Sequence, residues 1–217
     1  MKTALIFGSS GLVGKNLLNQ IINNSNYSKV KIFVRSSLEI SDQKVEIINT
    51  DFKDLEKIKN LIIGDDCFFC IGTTKKNSPD KNEYRRVELD LPKKIAQISK
   101  SNDIKSFIYV SSGFADPKNS GDYLKFKGLV EEEIKSLNFE KIGILRPSFL
   151  LGNRKENRVG EKIGIFIFKL LSPLFVGPIK KMKPIHSETV AKAMIQIANE
   201  DIQQTIFESN EIADLVG

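Results

Sequence analysis

Short apolar runs alternate along this chain with segments in which apolar residues recur every three or four positions. The runs predict strands, and the segments between them predict amphipathic helices. The predicted strands span residues 2–7, 29–34, 45–49, 67–71, 106–110 and 142–145. The predicted helices span residues 12–23, 54–61, 84–99 and 123–137, with Pro92 placed to kink or divide the third. Strands that alternate with helices pair in parallel through right-handed crossovers, so we expect an α/β fold with one doubly wound parallel sheet, a Rossmann domain.

The pattern changes after residue 147. Residues 163–171 are apolar on nearly every side and are expected to be covered. A last helix is predicted over 187–198 and a last strand over 205–207. We predict that residues 148–186 form a substrate-side wall, as a small carboxy-terminal extension of a single domain spanning 1–217.

A glycine-rich turn joins the first predicted strand to the first predicted helix. Its sequence is Gly8-Ser9-Ser10-Gly11-Leu12-Val13-Gly14. The N-terminus of a helix presents backbone N–H groups that attract a pyrophosphate, and glycines let the phosphates approach the backbone. The order of strand, glycine turn and helix therefore predicts a dinucleotide-binding site.

Arg35 stands at the end of the second predicted strand, followed by Ser36 and Ser37. NAD-specific sites carry a carboxylate there, which accepts hydrogen bonds from the ribose 2′-hydroxyl. A carboxylate would repel a 2′-phosphate, whereas a guanidinium binds it through paired, charge-assisted hydrogen bonds. The sequence therefore favours NADP(H) over NAD(H), the alternative being that Arg35 is only a solvated strand end.

A serine pair and a tyrosine–lysine pair supply candidate chemistry. Ser111 and Ser112 end the fifth predicted strand, and Tyr123 and Lys127 share a face of the next helix because they are four residues apart. A nearby ammonium stabilises a phenolate and lets tyrosine act as a general acid or base. We expect Ser112 to hold a carbonyl oxygen and Lys127 also to reach the nicotinamide ribose. For Tyr123 and Lys127, the alternative is an ordinary solvated helix face.

Cys67 and Cys70 form a C-x-x-C pattern inside a predicted strand. Side chains three apart on a strand point to opposite faces, so the two thiols are not expected to pair. The neighbouring sequence offers no further ligands for zinc, and we predict buried packing residues and no metal site.

Composition limits the classes of function. The chain has 217 residues and a net charge of +6, with its lysines scattered among acids, a distribution typical of a solvated surface rather than of a nucleic-acid site. No stretch approaches the roughly 20 apolar residues of a membrane span, and the amino end is too short for a secretory signal, so a cytoplasmic location is expected. His186 precedes the last predicted helix, where a packed or capping-region role is favoured over catalysis.

Several motifs together resemble the short-chain dehydrogenase/reductase superfamily. The G-x-x-G-x-x-G spacing of Gly8, Gly11 and Gly14 is similar to that of its extended and atypical branches. Within the atypical branch the chain looks most like the Tat-interactive-protein oxidoreductases, over nearly its whole length. The motifs that carry this likeness are Cys70-Ile71-Gly72-Thr73-Thr74, Ser111-Ser112-Gly113, Tyr123-Leu124-x-x-Lys127-Gly128, Leu145-Arg146-Pro147 and Phe207-Glu208-Ser209-Asn210-Glu211.

The resemblance implies further cofactor contacts. Ser9, Ser10, Leu12 and Val13 would line the phosphate turn, and Arg35 would meet the 2′-phosphate. Asp51 would contact the adenine amine with Phe52 beside it, Gly72 and Thr73 would border the nicotinamide-side ribose, and Pro147 and Ser148 would lie near the nicotinamide amide. The alternatives are that Asp51 only begins a turn and Pro147 only ends a strand.

One residue departs from the pattern of the superfamily. Ordinary members carry an Asn on the helix after the fourth strand, where it helps to build a proton relay, and this chain has Glu88 at the approximate position. The resemblance and the residues together predict an NADP(H)-dependent oxidoreductase acting on a small carbonyl or alcohol. The alternative is an NADP(H)-binding redox sensor or partner-binding regulatory protein with little catalysis.

Overall fold

The computed structural model describes residues 1–36, 38–152 and 182–217. Ser37, the apolar segment 163–171 and most of the predicted substrate-side wall therefore lie outside the described residues. The strands are β1 (Lys2–Phe7), β2 (Tyr27–Val34), β3 (Val45–Asn49), β4 (Asp66–Phe69), β5 (Ser106–Val110), β6 (Lys141–Arg146), β7 (Leu150–Leu151), β8 (Ile185–His186) and β9 (Ile206–Glu208). The helices are α1 (Leu12–Ile22), α2 (Lys81–Arg85), α3 (Leu91–Ser101), α4 (Asp122–Ser136), α5 (Ser187–Asn199) and α6 (Ser209–Val216).

Seven strands form one sheet in the order β3-β2-β1-β4-β5-β6-β9. Every neighbouring pair in this sheet runs parallel, and β7 and β8 pair separately as a short parallel ribbon. Parallel strands need crossover connections, and the helices that supply them cover both faces of the sheet. The expected α/β doubly wound fold is confirmed.

The sheet separates two hydrophobic clusters. One face packs residues such as Ile6 and Phe68 against α1 and α5, and the other packs Phe7 and Phe69 against α3 and α4. Cys67 belongs to the second cluster and Cys70 packs against the first, so the predicted opposite orientation is confirmed. Both cysteines are free thiols.

A buried acid fixes the amino edge of the sheet. Asp66 at the start of β4 accepts hydrogen bonds from Tyr27 Oη at 2.7 Å and from Ser106 Oγ, and its Oδ2 lies 3.1 Å from Lys2 Nζ. These partners are at or near the starts of β2, β5 and β1. These contacts join four strands at the amino edge of the sheet. The candidate site lies at the opposite, carboxyl edge.

Two predicted helices differ in detail. The segment predicted as a helix over 54–61 consists of two 3₁₀ turns, Leu55–Lys57 and Lys59–Leu61, in which the Asp54 side chain accepts from Glu56 N. The long helical region begins at Lys81 and contains a π-helical turn over Arg86–Asp90, between α2 and α3. Pro92 does not break it, because it lies in the first turn of α3.

Candidate cofactor and catalytic site

The candidate site lies where the direction of the chain through the sheet reverses. From β1 the chain proceeds to β2 and β3 on one side, and it then crosses to β4 on the other. In open parallel sheets this reversal leaves a crevice at the carboxyl ends of the strands. The segments bordering it are the glycine turn after β1 and the loop after β4.

Close packing explains two glycines of the turn. Gly8 has a φ of +93°, and a Cβ on it would lie 2.8 Å from the Cys70 carbonyl carbon. A Cβ on Gly14 would lie 2.1 Å from the Gly8 carbonyl oxygen. The absence of both side chains lets β1, α1 and the end of β4 meet at the crevice.

The turn fits the phosphates of a dinucleotide. Gly11 is the residue before α1, no side chain among the described residues caps the helix, and its first turn holds no acidic residue. Ser9 is 2% exposed, and its Oγ has no hydrogen-bond partner in the described part of the chain. An open helix N-terminus and a buried hydroxyl without a partner suit an anionic oxygen. Beside them, Val13 is buried, Leu12 is half-buried and Ser10 is exposed.

The adenine-side residues lie at the ends of β2 and β3. Arg35 is exposed one residue beyond β2, and Asp51 is exposed beyond β3, with Asp51 Oδ1 accepting from Lys53 N at 2.9 Å. Phe52 is buried at a φ of +58°, a conformation that is unusual for a bulky side chain. Arg86, to which no sequence motif points, donates from Nη1 to the Phe52 carbonyl at 3.0 Å.

Arg86 is held in turn by Glu83. Its Nε and Nη2 each donate to that carboxylate at 2.7 Å. These hydrogen bonds lower the pKa of Glu83, and the charges of Lys53 and Arg35 add to the effect. The positive charge of Arg35 therefore acts on the Glu83 carboxylate, which is itself held by Arg86.

Tyr123 and Lys127 lie side by side on α4, as their spacing predicts. Lys127 is buried, and its Nζ lies 5.8 Å from the centroid of the Tyr123 ring. The same Nζ lies 5.0 Å from the centroid of the Tyr109 ring, and it donates to the Val110 carbonyl at 3.4 Å. Lys127 is therefore joined to the end of β5, next to the serine pair, while Tyr123 remains 38% exposed.

Glu88 completes the surroundings of Lys127. Its Oε2 lies 3.2 Å from Lys127 Nζ, without hydrogen-bond alignment, and its Oε1 accepts from Thr73 N at 2.5 Å. Burial lowers the pKa of Lys127, but the Glu88 carboxylate, together with the Tyr109 and Tyr123 side chains, raises it, and the pKa stands well above its ordinary value. Glu88 belongs to the π-helical turn, a feature common at functional sites.

Gly72 and Thr73 follow β4 beside this glutamate. A Cβ on Gly72 would come 3.4 Å from Glu88 Oε1, and Thr73 Oγ1 lies 2.9 Å from Ser78 Oγ. The loop expected at the nicotinamide-side ribose is therefore fixed through Thr73 to the acid that holds Lys127.

A second buried acid, Glu131, holds the first serine of the pair. Glu131 on α4 accepts from Ser111 Oγ at 2.5 Å and from Arg146 Nε at 3.0 Å. The hydrogen bonds that Arg146 donates to Glu131 raise the pKa of Arg146, as does its contact with Glu208 at 3.2 Å. Ser111 therefore has a structural role. Ser112 is half-buried, and within the described part of the chain its hydroxyl makes only a 3.3 Å contact, with the Gly113 carbonyl. The sequence reading assigned no role to Glu131, whose signal was its place four residues after Lys127 on the same face.

Pro147 and Ser148 continue the same edge. The Pro147 carbonyl accepts from Gly113 N at 2.9 Å, and Ser148 Oγ donates to the Lys183 carbonyl at 2.6 Å. Ser148 thus fixes the segment that leads into β8. His186 is exposed, so it is not packed, and it occupies the residue before α5 without a capping hydrogen bond from its side chain.

The described residues contain no group of three or more His, Cys, Asp or Glu side chains able to hold a metal ion. They also contain no helix that is long and apolar enough to cross a membrane.

Comparison with known proteins places the chain in a family. A family model described as NAD(P)H-binding matches residues 8–201. Protein HTATIP2 of Rattus norvegicus is 34% identical over 164 residues, which cover 74% of this chain and 67% of that protein. Protein FMP52 of Candida glabrata, which is named mitochondrial, is 27% identical over 224 residues, covering 99% of this chain and 96% of that protein.

Solved structures share the fold. The Bordetella bronchiseptica enzyme WbmH, in complex with NAD+, superposes with a TM-score of 0.73 at 15% identity, covering 96% of this chain and 75% of that one. Vestitone reductase from alfalfa (Medicago sativa L.) superposes with a TM-score of 0.65 at 16% identity, covering 95% and 76%. At these identities the likeness concerns the fold alone.

Proposed function

The chain belongs to the NAD(P)H-binding family, as an atypical short-chain dehydrogenase/reductase of the HTATIP2 type, and from this premise we propose that it is an NADP(H)-dependent oxidoreductase acting on a small carbonyl or alcohol. The observation that carries the proposal is the contact of Lys127 Nζ with the Tyr123 ring, 5.8 Å away, at the carboxyl edge of the sheet. A phenol beside an ammonium suits proton transfer to a carbonyl oxygen.

The cofactor would be held along the carboxyl edge. The glycine turn with Ser9, Ser10, Leu12 and Val13 would receive the phosphates, and Arg35 the 2′-phosphate. Asp51 and Phe52 would adjoin the adenine, and Gly72, Thr73, Pro147 and Ser148 the nicotinamide half. When bound there, a reduced nicotinamide would supply the hydride for the carbonyl carbon.

The side chains of the chain itself supply the rest. Ser112 would donate a hydrogen bond to the carbonyl oxygen and fix its position. Tyr123 would then pass its phenolic proton to that oxygen as the hydride arrives, leaving an alcohol and a Tyr123 phenolate. Lys127 would stabilise that phenolate. Without Tyr123 the oxygen would have no proton donor in place, so general acid catalysis of about 10²- to 10⁴-fold would be lost.

A panel of carbonyl compounds, followed by NADPH absorbance, tests the proposal. We expect turnover that falls at least about 100-fold in Tyr123→Phe while NADPH still binds. Tyr84→Phe is the matched control, because Tyr84 is a buried phenol that packs against Phe126, and it should keep its turnover. Equal turnover in Tyr123→Phe and the parent protein would refute the role of Tyr123.

A regulatory, NADP(H)-sensing protein is the second candidate. The observation that favours it is the ion pair between Lys127 and Glu88. An ammonium whose charge is neutralised by a carboxylate stabilises a neighbouring phenolate less than a free ammonium does. The sensor predicts no turnover across the panel, together with NADPH-dependent protection of the 72–78 loop in hydrogen exchange. Protection accompanied by turnover supports the enzyme instead.

The location is also a proposal. We propose a cytoplasmic protein, against the alternative suggested by the FMP52 relatives that are named mitochondrial. Fractionation of cells that express the full chain distinguishes the two.

A further inference from the structure

Glu88 is a buried carboxylate that contacts both halves of the candidate site. It is 1% exposed, with one oxygen on the backbone of Thr73 and the other 3.2 Å from Lys127 Nζ. The Thr73 contact belongs to the loop after β4, and the Lys127 contact belongs to α4. Because the π-helical turn adds a residue to each hydrogen-bonded ring, it places Glu88 between these two elements.

Several groups face Lys127 from the surrounding elements. The rings of Tyr109 on β5 and Tyr123 on α4 flank its ammonium, and the field of the ammonium also reaches the Cys70 thiol after β4 and Tyr84 on α2. Within the described ranges, Glu88 is the carboxylate at ion-pair distance from Lys127. The raised pKa values of Cys70, Tyr84 and Tyr109 keep these groups neutral at physiological pH, so it is Glu88 that balances the ammonium.

The net charge of Lys127 and Glu88 together determines the electrostatic potential at the Tyr123 phenol. An unopposed ammonium about 6 Å from a phenol in a partly buried site strongly favours the phenolate. An ammonium paired with a carboxylate presents little net charge to the same phenol.

We propose that Glu88 sets the resting protonation state of the candidate acid: by balancing Lys127, it keeps Tyr123 as a neutral, proton-donating phenol and so biases the site toward carbonyl reduction. Glu88 acts through Lys127 and is a positioning residue. The direction of reaction rests on the proposed function, whereas the electrostatic part concerns the protein without cofactor or substrate.

Ultraviolet titration of tyrosinate measures this state directly. The chain has four tyrosines and no tryptophan, so the signal is clean. Burial raises the pKa of Tyr27, of Tyr109 and, to about 12, of Tyr84, so these three phenols are expected to ionise at high pH. Tyr123→Phe identifies the Tyr123 step, called the first step below, as the step that this substitution removes from the titration.

Two variants separate the charges of the pair. Glu88→Gln leaves the ammonium unopposed and should move the first step downward by about one pH unit or more. The double variant Glu88→Gln with Lys127→Met carries neither charge, so its first step should stay within about half a pH unit of that of the parent. Because the double variant buries no unpaired charge, it remains informative if Glu88→Gln does not fold.

Glu131→Gln is the matched control. It also removes a buried glutamate of this site, but one that is paired with Arg146, and it should leave the first step in place. The proposal is overturned by a folded Glu88→Gln protein with an unmoved first step, by an equal shift in Glu131→Gln, or by an upward shift of about one unit in the double variant.

Carbonyl turnover is measured separately from the tyrosinate titration. If the titration behaves as expected and no carbonyl is reduced, the proposed function fails and the role of Glu88 stands. If Tyr123-dependent turnover is found while the titration contradicts the expectation, the proposed function stands and the role of Glu88 fails. If both hold, the pH profile of reduction in Glu88→Gln should descend at a pH lower by the same shift.

Discussion

Gly14 on α1 lies so close to Gly8 that a Cβ on Gly14 would come within 2.1 Å of the Gly8 carbonyl oxygen. The atom that it would meet belongs to the backbone and cannot rotate away. The N-terminus of α1 is thereby held against the turn that begins at the end of β1. The glycine spacing is thus a packing requirement of the fold as well as a feature that suits phosphates.

Gly14→Ala should therefore lower the free energy of unfolding by at least about 1–3 kcal/mol, since backbone must shift to admit the methyl group. Urea unfolding followed by circular dichroism measures the loss. Gly113→Ala is the control, because a Cβ there would meet its nearest atom at 3.6 Å, an ordinary contact. Similar unfolding midpoints for the two variants would contradict this packing account.

Arg146→Met should destabilise the protein by about 3 kcal/mol, because it leaves the buried Glu131 carboxylate without its cation. Urea unfolding again gives the value. Lys29→Met removes the exposed pair between Lys29 and Glu46 and should cost at most about 1 kcal/mol. If the two substitutions cost the same, the buried pair of Glu131 and Arg146 contributes no more to stability than an exposed ion pair does.

Arg35→Gln should weaken NADPH binding by about 10-fold or more while NADH binding changes little, since a charge-assisted pair to the 2′-phosphate is lost. Titration of each cofactor by its fluorescence gives both dissociation constants. Lys29→Gln removes an equal charge from the opposite end of β2 and controls for net charge. An equal loss for NADH and NADPH would place Arg35 outside the 2′-phosphate site.

Stability should fall as the pH rises above about 9. Burial raises the pKa of the Cys67 thiol to about 12, so between these values the unfolded chain releases a proton that the folded chain keeps. The unfolded state then binds fewer protons, and the free energy of unfolding decreases with pH by about 1.4 kcal/mol per unit for this group.

Cys67→Ala tests that contribution. Urea unfolding under reducing conditions measures the free energy of unfolding at each pH. Between pH 9 and 11 this free energy should fall less steeply in Cys67→Ala than in the parent protein, by about 1.4 kcal/mol per pH unit, the value for one proton. Between pH 6 and 8 the two slopes should coincide. Parallel curves over the whole range would show that the thiol is not the group responsible.

The α/β order of elements, the glycine turn and the neighbourhood of Tyr123 and Lys127 were all predictable from the sequence. Each depends on local pattern: strands and helices follow from apolar periodicity, and residues four apart on a helix share a face whatever surrounds them. The opposite orientation of Cys67 and Cys70 follows from the period of a strand in the same way. The two 3₁₀ turns of 55–61 were less predictable, because a short amphipathic segment is compatible with either kind of helix.

The sequence by itself thus determined the fold class and the set of polar groups available at the carboxyl edge, since both follow from near neighbours along the chain. Only the tertiary structure decided which of these groups meet. Glu88 reaches Thr73 and Lys127 through a π-helical turn, and Glu131 reaches Ser111 and Arg146 across two strands. Such pairings join residues 15 to 39 positions apart, and they depend on how helices pack on the sheet, which no local period of the sequence specifies.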